Sequence, residues 1–74
     1  MRVLTNNDRM GRNILTLRKK NNLSQEDFAN LVGLDTAQLD ALERGIQREV
    51  DADVLFGIRR YFGVDVYTLM EDFI

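Results

Sequence analysis

Apolar residues along this chain recur at steps of three and four, the spacing that places side chains on one face of an α-helix. The first such stripe consists of Met10, Ile14 and Leu17. It predicts a helix that begins near Asn7 and ends before Asn21. No run of alternating apolar and polar residues is longer than a few positions, so the pattern favours helices throughout.

A second helix is marked by residues typical of helix ends. In Ser24–Asp27 the hydroxyl can accept from a free backbone N–H while the carboxylate reaches back, which predicts a capping box. The apolar side of the helix consists of Phe28, Leu31 and Val32. We expect it to end at Gly33, because glycine readily takes the left-handed conformation that closes a helix.

The third helix is predicted to begin at Asp35, an N-cap residue with Gln38 three positions on. Leu39 and Leu42 face inward, and Gly45 closes the helix.

A fourth helix is capped by Asp51 or Asp53 and ends at Gly63. Its apolar stripe consists of Val54, Leu55, Ile58 and Phe62. Asp65 opens a short fifth helix whose apolar residues are Leu69, Met70 and Phe73.

Five short helices in 74 residues predict an all-α fold in one small domain. The second and third helices are joined by about three residues with Gly33 at the bend, which is the arrangement of a helix-turn-helix unit. Any small helical bundle can contain such a corner, so the pattern alone does not establish a function. We assign residues 8–74 to the domain and expect residues 1–7 to form a flexible N-terminal arm.

The composition excludes several classes of protein. The chain has no Cys and no His, so it lacks thiolate metal ligands and the commonest acid/base group. We therefore expect neither an enzyme nor a protein that depends on a metal or cofactor. No apolar run approaches the roughly 20 residues that span a bilayer, and the first residues lack the apolar block of a signal peptide. These features predict a cytoplasmic protein that does not enter the membrane.

The net charge of −2 conceals an uneven distribution along the chain. Residues 1–23 carry six basic residues and one acidic residue, whereas residues 24–53 carry two basic and eight acidic residues. The acidic block therefore contains the predicted helix-turn-helix unit.

Residues 10–70 resemble the Cro/phage-repressor family of helix-turn-helix regulators. The matching text is "LRKKNNLSQEDFANLVGL", then "LERG", then "FGVDVYTLM". The resemblance implies the five-helix lambda-repressor-like fold and a role as a transcription regulator in a phage-type genetic switch. It also implies that the third helix, residues 35–44, enters the major groove of operator DNA, commonly in a homodimer on a two-fold operator.

When the family's DNA-binding positions are transferred to this sequence, the resemblance implies that DNA is bound by Gln25, Thr36, Ala37, Gln38, Asp40, Ala41, Arg44 and Arg48. Gln25 stands where the family usually holds a phosphate. Arg18 and Glu43 match a pair that usually forms a structural ion pair between the first and third helices.

The residue types at the base-facing positions are poor readers of DNA. Ala37 and Ala41 can contact only a thymine methyl group, and Asp40 would face a field of phosphates. Gln38 suits adenine, but capping at Asp35 competes for its side chain. With so few cations to neutralise phosphates, we expect at most weak DNA binding by the isolated chain.

The same face could instead bind another regulator. An acidic helix-turn-helix face is complementary to the basic DNA-reading face of a repressor, so the chain could act as an antirepressor that blocks operator binding. Leu31, Ile46 and Val50 would add apolar area, unless helix spacing places Leu31 in the core. This hypothesis assigns partner binding to Asp35, Gln38, Asp40, Ile46, Glu49, Val50, Asp51 and Asp53.

We favour the partner-binding hypothesis, with operator DNA as the alternative target, and the two are compatible. If the chain binds DNA, Arg2, Arg9 and Arg12 near the N-terminus could add phosphate contacts; alternatively they form a solvated surface.

Overall fold

In the computed structural model, which describes residues 2–4 and 9–74, the chain forms five helices and one short pair of strands. In chain order the elements are β1 (Arg2–Leu4), α1 (Arg9–Lys20), α2 (Gln25–Val32), α3 (Thr36–Glu43), β2 (Glu49–Asp51), α4 (Ala52–Phe62) and α5 (Val66–Glu71). The predicted five-helix, lambda-repressor-like architecture is confirmed. None of the helices within the described ranges has the length and apolar content of a membrane span.

The sequence pattern did not predict the two short strands, β1 and β2. They pair antiparallel, with Arg2 opposite Asp51 and Leu4 opposite Glu49. The expectation of an arm without secondary structure is therefore wrong for residues 2–4. Strands of three residues are too short to show an alternating pattern, which is why the sequence did not reveal them. Residues 5–8, which include the predicted start of the first helix, lie outside the described residues.

Most of the predicted helix ends are present. At Ser24–Asp27 the described structure forms the hydroxyl half of the predicted box: Ser24 Oγ accepts from the Asp27 N–H at 3.1 Å. Gly33 closes α2 with a φ of 84°. Of the two candidates for the cap of α4, Asp51 takes the role and accepts from the N–H of Asp53 at 3.0 Å.

At the fifth helix, Asp65 accepts from the Thr68 N–H at 2.8 Å, and this backbone hydrogen bond lowers the pKa of its carboxyl. The helix ends at Glu71, so the prediction that Phe73 belongs to its apolar face is wrong. The Phe73 ring is 83% exposed. The guanidinium of Arg9 lies over this ring, 3.9 Å from its centroid.

The core lies where all five helices converge, and the predicted apolar stripes supply most of it. Its buried members are Met10, Ile14, Leu17, Phe28, Ala29, Val32, Leu39, Leu42, Val50, Val54, Leu55, Ile58 and Leu69. Phe62 packs at its edge, with its ring stacked on that of Phe28 at a centroid distance of 5.2 Å. Val50 is fully buried, so the prediction that it stands exposed in a loop is wrong. Its place on β2 turns the side chain inward.

Glycine at position 11 allows α1 and α3 to approach closely. A Cβ atom built at Gly11 would overlap the backbone carbonyl oxygen of Leu42 on α3. Because that oxygen belongs to the backbone, it cannot move aside as a flexible side chain could. The contact fixes the position of α3 on the rest of the domain.

An ion pair joins the same two helices on their polar side. Arg18 Nε donates to Glu43 Oε2 at 2.7 Å, and Arg18 Nη2 donates to Glu43 Oε1 at 3.0 Å. A third donor, Arg18 Nη1, binds the carbonyl oxygen of Leu23 at 3.1 Å. The two side chains are only 13% and 5% exposed. The hydrogen bonds to Glu43 raise the pKa of Arg18, outweighing the opposing effect of burial. The pair predicted from the family pattern is thus present and largely shielded from water.

One buried polar side chain holds the C-terminal segment against α1. Asn13 Nδ2 donates to the carbonyl oxygens of Leu69 and Asp72 at 2.6 and 2.8 Å, and Asn13 Oδ1 accepts from the N–H of Ile74 at 3.2 Å. Asn13 is 3% exposed, and these bonds satisfy its amide on both sides. Residues 69–74 are thereby bound to the first helix.

Substitution of Gly11 by alanine should destabilise the fold strongly. The new methyl group would push α1 away from α3, and we expect the free energy of unfolding to fall by roughly 3 kcal/mol, the upper end of the range for overpacking. Urea denaturation followed by circular dichroism measures the change. Gly33→Ala is the matched control: nothing lies within 4 Å of its Cβ, so only the left-handed backbone opposes it, at about 1 kcal/mol. Equal losses in the two variants would contradict the proposed backbone clash.

Removing one member of the ion pair should lower the free energy of unfolding more than removing both members. Glu43→Gln leaves a shielded guanidinium without its counter-charge, and we expect a loss of roughly 3 kcal/mol in unfolding free energy. The double variant Arg18→Met, Glu43→Leu leaves no such charge and should be more stable than Glu43→Gln alone. The same urea titrations decide the order. A double variant less stable than Glu43→Gln would show that the charges themselves stabilise the domain.

Candidate nucleic-acid or protein interface

The corner between α2 and α3 is formed by the three residues from Gly33 to Asp35. The N–H groups of Gly33 and Leu34 both donate to the carbonyl oxygen of Ala29 at 2.9 Å, which closes α2 and turns the chain. Asp35 then caps α3 through a bond from the Gln38 N–H to Asp35 Oδ1 at 2.7 Å. The corner therefore has the short connection of a helix-turn-helix unit, in which α3 is the second helix.

The predicted base-facing residues share the outer face of α3. Thr36 and Ala37 are exposed at its N-terminus, whereas Ala41 is partly covered. Gln38 Oε1 accepts from the backbone N–H of Asp35 at 3.2 Å, which completes the capping box. Bidentate recognition of adenine needs both the oxygen and the nitrogen of the amide. In this conformation the oxygen is already engaged, so Gln38 is a weak reader.

Two of the predicted DNA-binding side chains, Gln25 and Arg44, are both bonded to Asp40. Gln25 Nε2 donates to Asp40 Oδ1 at 3.1 Å, and Arg44 Nε pairs with Asp40 Oδ2 at 3.0 Å. Gln25 Nε2 also donates to Glu43 Oε1 at 3.0 Å. Gln25 therefore connects Asp40 to the Arg18–Glu43 ion pair. These five side chains form one hydrogen-bonded network across α1, α2 and α3. We call it the Asp40 network: Arg18, Gln25, Asp40, Glu43 and Arg44.

Acidic side chains dominate the exposed charges around the corner. Exposed carboxylates lie on α2, at the start of α3, on β2 and in the first turn of α4: Glu26, Asp27, Asp35, Glu49 and Asp53. Arg44 and Arg48 are the exposed cations of residues 24–53. Arg44 is paired with Asp40, and Arg48 also has an interaction partner within the chain. This surface is therefore negative, as the sequence predicted.

The three apolar residues predicted to stand on this surface have different positions. Ile46 is 75% exposed just after α3, as expected. Val50 lies in the core instead. Leu31 is exposed rather than buried, but it lines a groove between α2 and α4 together with Phe56. The apolar part of the predicted partner surface is thus reduced to Ile46. Asp51 is committed to capping α4.

Of the N-terminal arginines predicted to contact phosphates, Arg9 binds the C-terminal segment instead. Arg9 donates to the carbonyl oxygen of Glu71 at 2.7 Å and covers the Phe73 ring. Its side chain therefore binds the C-terminal segment. Arg12 is exposed on α1 and has an interaction partner within the chain. The side chain of Arg2 lies outside the described residues.

Exposed aromatic side chains are the functional candidates that the sequence analysis missed. On α4, Phe56 is 65% and Tyr61 is 53% exposed, and on α5 Tyr67 is 76% exposed. Phe56 falls outside the apolar stripe of its helix, so its position in the 3.6-residue period could have identified it.

Comparison with known proteins identifies the family. A family model described as helix-turn-helix (HTH_3) matches residues 14–69, which is more than half of the chain. No curated protein matches this sequence.

Several solved structures share the fold. The N-terminal DNA-binding domain of SinR from Bacillus subtilis superposes with a TM-score of 0.79 at 24% identity, over 89% of this chain and 96% of that one. The crystal structure of SinR, a master regulator for biofilm formation, in complex with DNA gives 0.74 at 26% identity, over 84% and 98%.

A chain from the complex of the SinR and SinI proteins also gives a TM-score of 0.74 at 26% identity, and 84% of this chain is covered. This chain spans 60% of that chain's length. The family match, which covers both helices of the corner, and the shared fold agree with the architecture described above. The chain belongs to the Cro/C1-type helix-turn-helix family of DNA-binding transcription regulators.

Proposed function

We propose that this chain regulates transcription in a phage-type genetic switch by binding a partner repressor and blocking that repressor's operator binding. Alone, it binds operator DNA weakly. The observation that carries the proposal is the position of Asp40, whose two carboxylate oxygens hold Gln25 and Arg44, the groups that would otherwise reach for phosphates.

Electrostatics opposes strong binding of DNA to this face. Affinity for duplex DNA comes largely from cations that neutralise phosphates, and each such contact contributes about −0.9 to the slope of log K against log salt. Arg44 would have to leave Asp40 before it could contact a phosphate, and Asp40 would then remain as an uncompensated charge near the DNA. The exposed carboxylates of the flanking elements add repulsion of the same sign.

A basic protein surface fits the same features. The DNA-reading face of a repressor carries Lys and Arg side chains for phosphates, and an acidic face can pair with them while steering the encounter. The revised footprint omits the buried Val50 and consists of Asp35, Gln38, Asp40, Ile46, Glu49, Asp51 and Asp53. Ile46 is its apolar contact. A partner seated there would cover the surface that the repressor needs for its operator.

The solved relatives are compatible with either kind of target. One chain 26% identical to this one comes from a complex of two proteins, SinR and SinI. Another, also 26% identical, is SinR in complex with DNA. The DNA complex, together with the exposed Thr36 and Ala37 at the start of α3, favours direct operator binding as the second candidate function.

Replacing Asp40 by asparagine should change the two activities in opposite directions. The variant removes the ion pair with Arg44 and one negative charge from the face. We expect its affinity for a non-specific duplex to rise, with a salt slope steeper by about 1. Its affinity for the partner repressor should fall about tenfold, because an interfacial charge is lost. Fluorescence anisotropy over a salt series and isothermal titration calorimetry measure the two quantities.

Glu71→Gln provides the matched control, since it removes one exposed carboxylate from α5, outside the helix-turn-helix unit. It should leave both affinities unchanged. Wild-type chain that binds an operator duplex tightly at physiological salt, and shows no heat with the repressor, would favour the second candidate and contradict the proposal.

A further inference from the structure

A small cavity lies between α4 and α5, and we call it the α4–α5 cavity. Its α4 wall consists of residues whose spacing places them on one face of the helix: Ala52, Leu55, Phe56 and Arg59. The other wall consists of Val66 and Met70 of α5 and of Asp65, the residue that caps this helix. The volume of about 340 Å³ is at the lower end of the roughly 300–1,000 Å³ of small-molecule sites. The cavity therefore suits a small ligand.

Most of the α4–α5 cavity is lined by apolar side chains. Leu55 is only 6% exposed and belongs to the core, whereas Phe56 and Val66 are 65% and 41% exposed. Helix α5 has six residues, and Ala52 on the opposite wall carries only a methyl group, so the two helices leave the space between them unfilled. An apolar group that entered would remove these side chains from water, which is favourable.

Two opposite charges lie together at one end of the cavity. Arg59 is in the last turn of α4, and Asp65 follows the C-cap of that helix by two residues. The pKa of the Asp65 carboxyl is lowered chiefly by hydrogen bonds from Thr68, and the positive charge of Arg59 nearby lowers it further. Ala52 lies seven residues before Arg59, which is about 10 Å along the helix. The cavity is thus charged at one end and apolar at the other.

This arrangement matches a molecule that carries both charges at one end and an apolar group at the other. Arg59 can bind a carboxylate through two parallel N–H donors. A carboxylate has about four acceptor sites, so Asp65 can bind an ammonium group while it caps α5. An aliphatic acid would bring its carboxylate beside Asp65, and an aliphatic amine would bring its ammonium group beside Arg59. Only a ligand with both charges compensates both side chains.

We infer that the α4–α5 cavity binds a free apolar amino acid of about the size of leucine. The carboxylate of the ligand pairs with Arg59, and its ammonium group pairs with Asp65. Its side chain lies against Leu55, Val66 and Met70. No residue of the cavity belongs to the repressor footprint or to the Asp40 network. The inference therefore goes beyond the proposed function and does not depend on it.

The test uses L-leucine as the probe, titrated into the isotope-labelled full chain and followed by NMR spectroscopy. The shifts of the backbone amide signals report both the place of binding and the affinity. We expect a dissociation constant of about 1 mM, because a ligand of so few atoms makes few contacts. The largest shifts should occur at Ala52, Val66 and Met70. Since leucine binds only the folded chain, about 10 mM of it should raise the melting temperature by at least about 4 °C.

Three further probes each lack one feature of leucine. Isocaproate lacks the ammonium group, isopentylamine lacks the carboxylate, and glycine lacks the apolar side chain. Each should bind at least about tenfold more weakly than leucine, because one of the three interactions is lost. Isocaproate or isopentylamine that binds as tightly as leucine would contradict the recognition of a double charge.

Two charge-removing substitutions on neighbouring positions of α4 form a matched pair. Arg59→Gln should weaken leucine binding at least about tenfold, whereas Arg60→Gln should leave it unchanged. Both arginines are exposed, but only Arg59 lines the α4–α5 cavity. Thermal unfolding without ligand confirms that each variant is folded.

A third variant tests the other charge. Asp65→Asn removes the carboxylate but keeps a side chain that caps helices equally well, so α5 should remain folded. Leucine should bind this variant at least about tenfold more weakly than the wild type.

Three outcomes would overturn the inference. Wild type that shows neither amide shifts nor a higher melting temperature at the highest leucine concentration has no such site. Shifts confined to residues outside α4 and α5 exclude the cavity as the place of binding. Folded Arg59→Gln or Asp65→Asn that binds leucine as the wild type does excludes the proposed charge pairing. None of these results bears on repressor binding through α3, which is measured with a different protein.

Discussion

The arrangement of the helix-turn-helix face depends on one ion pair, Arg18–Glu43. Its two hydrogen bonds of 2.7 and 3.0 Å tie the end of α3 to α1. The remaining donor of Arg18 holds the chain just before α2, and the carboxylate of Glu43 also holds Gln25 at the start of α2. One shielded pair therefore sets the relative positions of three helices. Without Glu43, Gln25 and Arg18 would lose a common acceptor, and α3 would lose its polar connection to α1 and α2.

The same network limits what this surface can bind. Asp40 is the more exposed carboxylate of the network, and it holds two predicted DNA-binding side chains, Gln25 and Arg44. A fold whose usual ligand is a polyanion here presents a surface on which the cation Arg44 is already paired with a carboxylate. Family membership fixes the architecture and the general role in transcription, whereas the contacts of Asp40 decide which kind of surface would be attracted to it. The fold therefore follows from the family, whereas the proposed molecular target rests on the contacts of Asp40.

The sequence predicted the helices well, because periodic stripes and caps are local signals. Asp35 with Gln38, Gly33 and Gly63 end or begin helices where expected. The errors concern residues whose environment is set by distant parts of the chain. Val50 is buried because β1 pairs with β2 and α4 packs behind it, and nothing within a few residues of Val50 indicates this.

In the candidate site, too, local features could be predicted from the sequence, whereas contacts between distant parts of the chain could not. The acidic character of the surface and the Arg18–Glu43 pair could be predicted from residue types and the family pattern. The engagement of Gln25 by Asp40 could not, since these residues are 15 positions apart and meet only through the packing of α2 on α3. Phe56 could have been identified as exposed from the helical period, but its position beside Leu31 depends on how α2 crosses α4.

The clasp that Asn13 forms on residues 69–74 has a consequence for biosynthesis. Its bonds join groups 56 to 61 positions apart, so they close nearly the whole chain into one loop. A ribosome that has released α1 through α4 has not yet supplied the carbonyl and N–H groups that the buried amide requires. Until then Asn13 has only water as a partner, and the face of α1 that receives Leu69 stays open. Residues 69–74 thus complete the packing around the first helix, and the domain acquires its full stability only after this segment has been synthesised.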